Sequence, residues 1–385
     1  MNVRTVASGV CAFGLAHLLT PAIATAQQVP LPVAAVDSAA VARRSAKVGT
    51  PPRGSRFYTG LAWGSESQFN PLSHLLNEGF NDLIIQSSDQ RLSKQPWAAS
   101  WRNLLHNIGH ARGAFERYGW PRAVRNELLP LSAAEGGQWL PNYTDHLIGN
   151  GMVSVRLEEW FIRHGYPMPS ILAATTVMAG HVLNEVVERP QYWAVDPLAD
   201  LLLFDWAGIA LFRSDRVQRA LSGRVRLTNW TGQPMIGLPT GTMENASQSF
   251  VFSIPLPRTE RWRAFAMTGV TYLAGVTHVD EQARGISVGI GQGADVVAVT
   301  DQATDTRTVR LGFRAGLFYD RRGSLLMSLV HNPSRNGLVT LNVYPGILRV
   351  HGVSPGLWLD VRRNGVRFGL AAPFGFGAAV GPAMH

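Results

Sequence analysis

Hydrophobic residues recur every three to four positions between Phe57 and Phe212, a period that is typical of amphipathic helices. Prolines stand at or just before several of these segments, where the first helical turn accepts them. The pattern predicts helices over residues 71–82, 96–117, 122–128, 143–164, 169–187 and 197–212. The longest apolar stretches, 171–180 and 201–212, are shorter than the roughly 20 residues of a membrane-spanning helix, so no such helix is expected there.

Beyond about Gln248 the hydrophobic period changes to two, which is typical of β-strands. One face of the segment 308–319 carries Val309, Leu311, Phe313, Ala315, Leu317 and Tyr319. The opposite face carries Arg310, Gly312, Arg314 and Gly316. About eight such segments, several long enough to cross a membrane as tilted strands, predict an antiparallel β-barrel or barrel-like meander. The alternative is a soluble sandwich with one wet face.

The segment 357–370 reverses direction at Asn364-Gly365, the dipeptide most typical of a two-residue hairpin turn. We expect both residues to adopt positive φ in a type I′ turn. The aromatic residues that we expect to form membrane-interface girdles are Trp262, Tyr272, Tyr319, Tyr344 and Trp358.

The expected fold class is therefore α+β, with an N-terminal helical domain followed by a C-terminal antiparallel barrel. The predicted divisions are a signal peptide at 1–26, a disordered linker at 27–55, a helical domain at 56–215, a connector at 216–247 and the barrel-like domain at 248–385.

The N-terminus predicts export. Arg4 precedes an uncharged run that ends near Ala24-Thr25-Ala26, which offers small residues to a signal peptidase. Cleavage before Gln27 would also remove Cys11, the single cysteine, so the mature chain would have neither a disulfide nor a thiolate ligand. Export and the strand pattern favour the outer membrane over the soluble periplasm.

The net charge of +9 is concentrated after residue 216. In an exported protein such a basic half favours contact with lipid phosphate, whereas nucleic acid is not an expected partner. The alternative is a solvated, arginine-rich surface.

Ionisable residues stand at helical spacing in an apolar part of the helical half. His181 and Glu185 are four residues apart and share a helix face, while Asp196 and Asp200 repeat that spacing at the start of the next helix. Imidazole grouped with carboxylates is typical of metal coordination or of general acid–base catalysis. The candidate catalytic residues are His146, His181, Glu185, Glu188, Asp196 and Asp200.

A structural role is the alternative for the same residues. Asp196 would cap a helix, and Glu185 and Glu188 would pair with Arg156, Arg189 or an imidazole in a buried polar network. No H-E-x-x-H, G-x-S-x-G or phosphate-loop motif occurs, so the sequence identifies neither a metal nor a cofactor.

Two further features lie in the helical half. Asp205 interrupts the apolar run 201–212, and it belongs with the residues to be weighed as part of a polar site. His106 and His110 stand one turn apart and form either a metal-binding pair or a surface or capping pair.

The block from residue 140 to 212 resembles uncharacterised bacterial envelope proteins with a domain of unknown function, and more distantly VanZ-like proteins. The residues that carry the resemblance are Pro141-Asn142-Tyr143, Asp145-His146-Leu147-Ile148-Gly149, the segment 181–188, and Asp196-Pro197-Leu198-Ala199-Asp200-Leu201. The resemblance implies an envelope setting and marks His146, Glu185, Glu188, Asp196 and Asp200 as candidate site residues. The chain departs from VanZ-like proteins because its sequence predicts no membrane-spanning helices like theirs. The resemblance names no reaction.

Three functions remain open from the sequence. The first is an outer-membrane protein with a structural or lipid-associated role, whose helical domain packs against a barrel. The second is an envelope hydrolase or transferase that acts on lipid or lipid-linked phosphate, with His146 or His181 as the general base. The third is a pore or transporter lined by the arginine-rich face.

Overall fold

A computed structural model describes residues 54–83, 90–130, 138–259, 261–301, 306–333 and 337–382. The predicted signal peptide and nearly all of the predicted linker lie outside these residues. The side chains of Val309 and Arg310 also lie outside the part that is described.

Helices occupy the first half of the described chain and include the segments in which the hydrophobic period predicts them, whereas the helices at 64–67, 139–141 and 215–222 were not predicted. Four of them place a proline in the first turn, where its missing N–H costs no intrahelical hydrogen bond. The helices are α1 Gly64–Ser67, α2 Pro71–Gly79, α3 Trp97–Gly109, α4 Ala111–Tyr118, α5 Trp120–Ala123, π1 Val124–Leu128, α6 Trp139–Pro141, π2 Asn142–Asn150, α7 Gly151–Arg163, α8 Pro169–Glu188, α9 Asp196–Ala199, π3 Asp200–Phe204, α10 Asp205–Leu211 and α11 Asp215–Ser222.

Helix α8 is longer than its apolar stretch alone predicts. Its 20 residues are long and apolar enough to cross a membrane by length and composition, contrary to the expectation that no such helix follows the signal segment. The reason is that the helix continues past Gly180 through His181 and Glu185. Both of these side chains are buried within the protein, as in the core helix of a helical domain.

Strands follow the helices and form one 13-stranded sheet, which establishes the α+β architecture. The sheet order is β1-β4-β5-β6-β7-β8-β9-β10-β11-β12-β13-β2-β3, and the pairings are antiparallel except for the parallel pair β13–β2. The strands are β1 Leu227–Thr231, β2 Met235–Gly237, β3 Met243–Glu244, β4 Gln248–Pro255, β5 Trp262–Gly269, β6 Thr271–Val279, β7 Arg284–Asp301, β8 Thr306–Arg321, β9 Ser324–His331, β10 Gly337–Val343, β11 Gly356–Arg362, β12 Gly365–Ala371 and β13 Gly377–Val380.

The segment 216–247, which the sequence predicts to be a connector, therefore contains most of α11 and three short strands. The hydrophobic period does not predict strand β1, because four of its five residues are buried and apolar and polar positions do not alternate in it. With one face against the helices and the other against the sheet interior, a strand shows no polar face.

The sheet curves strongly. Strands β1 and β8 are five steps apart in the order, and a flat sheet would separate them by roughly 24 Å. The rings of Trp230 on β1 and Phe318 on β8 nevertheless have centroids 5.3 Å apart. We call the concave side, which carries these two rings, the inner face.

The inner and outer faces differ in polarity. The inner face carries polar side chains as well as aromatic ones, among them the buried Ser287, Arg314, Asn342 and Asp360. The outer face of β5 to β13 exposes large apolar side chains: Trp262, Val276, Ile286, Val288, Ile290, Leu311, Phe313, Leu317, Leu329, Leu338, Val366, Phe368, Leu370 and Val380. Leu311, Phe313 and Leu317 thus point outward, as the alternation predicts.

The helical half covers the outer face of β1 and β4. Leu227 and Phe250 belong to a core cluster with Met152 and Val153 of α7. Buried Arg156 of α7 donates to Asn229 of β1 and forms an ion pair with Glu66 of α1. Helices and sheet therefore share a core.

The β11–β12 hairpin reverses direction next to the predicted dipeptide, but the turn differs from the prediction in its centre and in its type. Arg362 pairs with Gly365, so the loop residues are Arg363 and Asn364. Gly365 has a φ of 146°, whereas neither loop residue has a positive φ. The turn is thus centred one residue earlier than expected, and the predicted type I′ geometry is wrong.

The expected aromatic girdle is also partly wrong. Trp262 is exposed on the outer face, but Tyr344 and Trp358 are buried on the inner side. The Tyr344 hydroxyl donates a hydrogen bond of 2.7 Å to the carbonyl of Thr231. Two of the five predicted girdle residues therefore stabilise the interior of the sheet.

Candidate functional site

Four helical segments bring five ionisable side chains together in the helical half. Segment π2 contributes His146, α8 contributes His181 and Glu185, π3 contributes Asp200 and α10 contributes Asp205. His181 and Glu185 share one face of α8 because they are four residues apart. We call these five residues the His–carboxylate cluster.

Glycine contacts allow the helices to approach closely enough to form the cluster. A Cβ on Gly208 of α10 would lie 2.5 Å from the carbonyl oxygen of Leu147 and 2.9 Å from that of His146. A Cβ on Gly151 would lie 2.7 Å from the carbonyl oxygen of Gly208. Only residues without a side chain fit at this crossing, which sets His146 against α10.

The two imidazole rings of the cluster lie parallel. Their centroids are 4.2 Å apart and their planes differ by 12°. On one side, Nδ1 of His181 donates a short hydrogen bond to Asp205 Oδ2, and Nδ1 of His146 lies 3.6 Å from Asp205 Oδ1. On the other side, Nε2 of His181 lies 3.1 Å from Glu185 Oε1, and Nε2 of His146 lies 3.7 Å from Asp200 Oδ2.

A second layer of polar side chains surrounds Asp205. Asn150 donates a 3.0 Å hydrogen bond to Asp205 Oδ1 and also reaches Glu78 Oε1 at 3.4 Å. Glu78 in turn accepts a 2.6 Å hydrogen bond from Gln248 at the start of β4. A chain of hydrogen bonds thus links the cluster to the sheet.

Burial and charge act in opposite directions on the His181–Asp205 pair. Burial alone would lower the pKa of His181, but the carboxylates of Asp205 and Glu185 outweigh it and raise that pKa well above its usual value. Burial alone would raise the pKa of Asp205, but His181 and His146 hold it well below its usual value. Each member of the pair therefore favours the charged form of the other.

Asp200 has the opposite electrostatic environment. Burial, together with the neighbouring charges of Asp196 and Glu185, raises the pKa of Asp200 well above its usual value. Its side chain is only 7% exposed, and Oδ1 has no hydrogen-bond partner among the residues that the structure describes. A buried oxygen of this kind without a hydrogen-bond partner is costly.

Two sets of three side chains in the cluster could hold a metal ion. One set is His146, His181 and Asp205, and the other is His181, Glu185 and Asp200. Within each set, one ligand atom from each residue lies within 4.8 Å of the others. Imidazole and carboxylate donors suit divalent transition metals such as zinc, iron and manganese.

Asp196 and Glu188 lie at the margin of the cluster. Asp196 begins α9 half-buried and acts electrostatically on Asp200. Glu188 is half-buried at the end of α8, one turn beyond Glu185. The remaining candidates, His146, His181, Glu185 and Asp200, meet within the cluster.

The candidate set from the sequence left out the residue that contacts both imidazoles, Asp205. Its signal was a single carboxylate within an apolar helix, which must find a partner if it is buried. Glu78 and Asn150 carried no such signal, because their neighbours in the sequence are mixed and long-range packing alone brings them to Asp205.

His106 and His110 do not form part of the cluster. Their rings stack at 4.3 Å, and His106 meets Tyr192 and Trp193 edge-on at 4.7 Å. This packing favours the structural interpretation of the pair.

No protein-family model, no curated protein and no solved structure matches this chain.

Proposed function

We propose that this protein is an integral protein of a bacterial envelope membrane, in which the curved sheet closes into a barrel with a lipid-facing exterior. The observation that carries the proposal is the bare outer face, where residues such as Ile290, Leu311, Phe313 and Val366 are each more than half exposed. A continuous apolar surface of this kind is unfavourable in water and suits the hydrocarbon of a bilayer.

The strand order supports closure. Only Gly232, Gln233 and Pro234 separate β1 from β2, so the two strands belong to one continuous segment. That segment pairs with β4 through β1 and with β13 through β2. A segment that pairs with both ends of a meander is what a closed barrel requires.

The interior favours a structural or lipid-associated barrel over an open pore. A cavity of about 160 Å³ lies on the inner face and is lined by residues that include Met267, Arg314, Asn342 and Asp360. Part of its wall is formed by Trp230, Phe318 and Tyr344, which pack with Phe265 in one buried aromatic cluster. Packed aromatic rings obstruct the water-filled passage that conduction needs.

Fractionation combined with gel mobility tests the membrane proposal. Folded barrels resist detergent and migrate differently from the heated, unfolded chain. We expect full-length protein from cells to sediment with the outer membrane and to change mobility on heating. Recovery as a soluble periplasmic protein whose mobility does not depend on heating would contradict the proposal.

The second candidate function is an enzyme that acts on lipid or on lipid-linked phosphate, and the convergence of the His–carboxylate cluster favours it. Asp205 holds the His181 imidazole in place, and His146 keeps a side-chain exposure of 14%, the largest among the cluster histidines. A histidine pair in which a carboxylate positions the buried ring and the stacked ring meets solvent is suited to general acid–base catalysis.

Two of the segments that carry cluster residues also expose apolar side chains, which suit a substrate with hydrocarbon chains. Leu202, Leu203 and Trp206 are each about half exposed, and they lie on π3 and α10, the segments that carry Asp200 and Asp205. Exposed apolar side chains at successive helical turns form a stripe that can rest on a lipid.

A lipid-turnover assay tests this second candidate. Vesicles of bacterial phospholipid and of lipid-linked phosphate would be incubated with the purified protein and analysed by mass spectrometry. We expect Glu185→Gln to keep the fold, as judged by circular dichroism, and to abolish any conversion that the wild type performs. Conversion at an equal rate by wild type and variant would remove the cluster from the reaction.

A further inference from the structure

The two sides of the His–carboxylate cluster differ in a way that a purely structural network would not need. The two stacked rings present nitrogens of the same type to the same side. Both Nδ1 atoms face Asp205, while the Nε2 atoms face Glu185 in one case and Asp200 in the other. One side of the ring pair thus has a single carboxylate, and the opposite side has two.

We propose that the Nε2 side of the cluster is a binding site for one divalent first-row transition-metal ion. Its ligands are His181 Nε2, Glu185 and Asp200, and His146 Nε2 completes the set as the fourth. The proposal concerns binding alone and does not depend on catalysis or on insertion of the sheet into a membrane.

The spacing of the donors fits such an ion. With metal–ligand bonds of about 2.1 Å, tetrahedral ligands are separated by roughly 3.4 Å. The pairs His181 Nε2–Glu185 Oε1 at 3.1 Å and His146 Nε2–Asp200 Oδ2 at 3.7 Å lie on either side of that value. His181, Glu185 and Asp200 each offer an atom within 4.8 Å of the other two, so small side-chain rotations suffice to enclose an ion.

An independent observation indicates that the site needs a ligand. Asp200 is 95% buried, and its Oδ1 has no hydrogen-bond partner among the described residues. Its other oxygen approaches His146 only to 3.7 Å, which is beyond hydrogen-bond distance. A cation at the Nε2 side would provide the partner that this carboxylate lacks.

Asp205 is placed to hold the metal-binding histidines by hydrogen bonds rather than to bind the ion itself. Metal-bound histidines usually donate their second ring N–H to a carboxylate, which fixes the tautomer and the orientation of the ring. Asp205 faces Nδ1 of both histidines, and Asn150 anchors it with a 3.0 Å hydrogen bond. We therefore assign Asp205 to positioning the two imidazoles rather than to binding the ion.

The donor set defines the class of metal. Two imidazoles and two carboxylates favour Zn²⁺, Fe²⁺, Mn²⁺ or Co²⁺ over the all-oxygen sites of Ca²⁺ and Mg²⁺. Each of these ligands binds a metal through a lone pair on nitrogen or oxygen, so the ion takes the place of any proton on the coordinating atom.

Titration of the full-length protein with Co²⁺ tests the proposal, because the visible bands of the ion report its coordination. After dialysis against EDTA, we expect one equivalent of Co²⁺ to bind saturably. Glu185→Gln and Asp200→Asn should each weaken binding on the order of 100-fold, and Asp205→Asn about 10- to 100-fold. The matched control Glu116→Gln, which alters an exposed carboxylate on α4, should leave the affinity unchanged.

Thermal unfolding of the wild type tests metal binding by a second measurement that does not require the variants to fold. We expect saturating Co²⁺ to raise Tm by roughly 5 °C and EDTA to reverse the rise. Absence of saturable binding, or wild-type affinity in both Glu185→Gln and Asp200→Asn, would overturn the proposal. Loss of binding in Asp205→Asn alone would move the ion to the Nδ1 side and overturn the ligand assignment.

Discussion

Ionisation of Asp145 should make the unfolding free energy of the helical half depend on pH. This residue precedes His146 in π2 and accepts a 3.0 Å hydrogen bond from the Thr144 hydroxyl. Burial raises its pKa to about 6, although His146, Thr144 and Thr268 act in the opposite direction. The folded protein therefore holds this carboxyl neutral to a higher pH than the unfolded chain does.

We predict that Asp145→Asn removes a pH dependence from the unfolding free energy. Because the folded pKa is raised, the folded state binds the proton more tightly, and wild-type stability falls between about pH 4 and about pH 6. The difference in favour of the variant should grow by about 1–2 kcal/mol over that window, allowing for some contact with solvent, and stay constant above about pH 7. Urea unfolding in EDTA measures it.

Asp215→Asn is the control with the opposite sign. Hydrogen bonding to Arg56 and the charge of Arg219 lower the pKa of this exposed carboxylate. Its contribution to stability is present at neutral pH and is lost as the pH falls through the folded pKa. A constant difference between wild type and Asp145→Asn over the acidic window would contradict the assignment to Asp145.

At the level of single residues, the sequence predicts what one helix can show. His181 and Glu185 are separated by one turn of the same helix, so their contact follows from the spacing. The contacts of His146 with Asp200 and Asp205 depend on how three segments cross, and that crossing depends on glycines whose role no local pattern reveals. Asp205 was visible as an isolated charge, but its partners were not.

At the level of elements, the crossing of π2 with α10 determines the geometry of the cluster. Gly208 meets the carbonyls of Leu147 and His146 at distances that no Cβ could occupy. The segment with His146 can therefore approach the helix of Asp205 only while residue 208 is glycine.

We predict that Gly208→Ala destabilises the helical half by about 1–3 kcal/mol, because the added methyl group must push α10 away from π2. Gly109→Ala is the matched control, since a Cβ at that helical position meets nothing within 4 Å. This control should be neutral or stabilising by up to about 1 kcal/mol. Equal unfolding midpoints for the two variants in denaturant would show that the crossing tolerates a side chain.

The strands that the sequence predicts well are those with one buried face and one exposed face. Leu311, Phe313 and Leu317 alternate with inward-facing residues because none of the described residues covers the outer side of β8, so the period of two persists in the sequence. Strand β1 is covered on both sides and shows no period. The three strands of 227–244 were missed for that reason and because they are short.

For the whole molecule, the bare outer face should respond to charge in a way that distinguishes lipid from water. Phe313 is 58% exposed on the outer face of β8. In water, an arginine at such a position would be harmless. In a bilayer, it would be costly by about 2–4 kcal/mol at the midplane.

We predict that Phe313→Arg lowers both the yield of membrane-assembled protein and its stability in lipid vesicles. Gln282→Arg is the control, because it adds the same charge in the exposed loop between β6 and β7. Recovery in the membrane fraction and urea unfolding in vesicles measure both effects. Wild-type behaviour of Phe313→Arg in both assays would count against a lipid-facing surface.

Strands β7 and β8 are much longer than their neighbours. Pairing of β7 with β6 ends at Gly293, and pairing of β8 with β9 ends at Ala315, so beyond these residues the two strands pair only with each other. The eight residues of β7 after Gly293 extend roughly 27 Å. In a membrane-anchored protein, a ribbon of this length would project from one side of the membrane and would show how the protein is oriented. Protease added to intact cells would cut it if it faces the medium, and only permeabilised cells would be cut if it faces the periplasm.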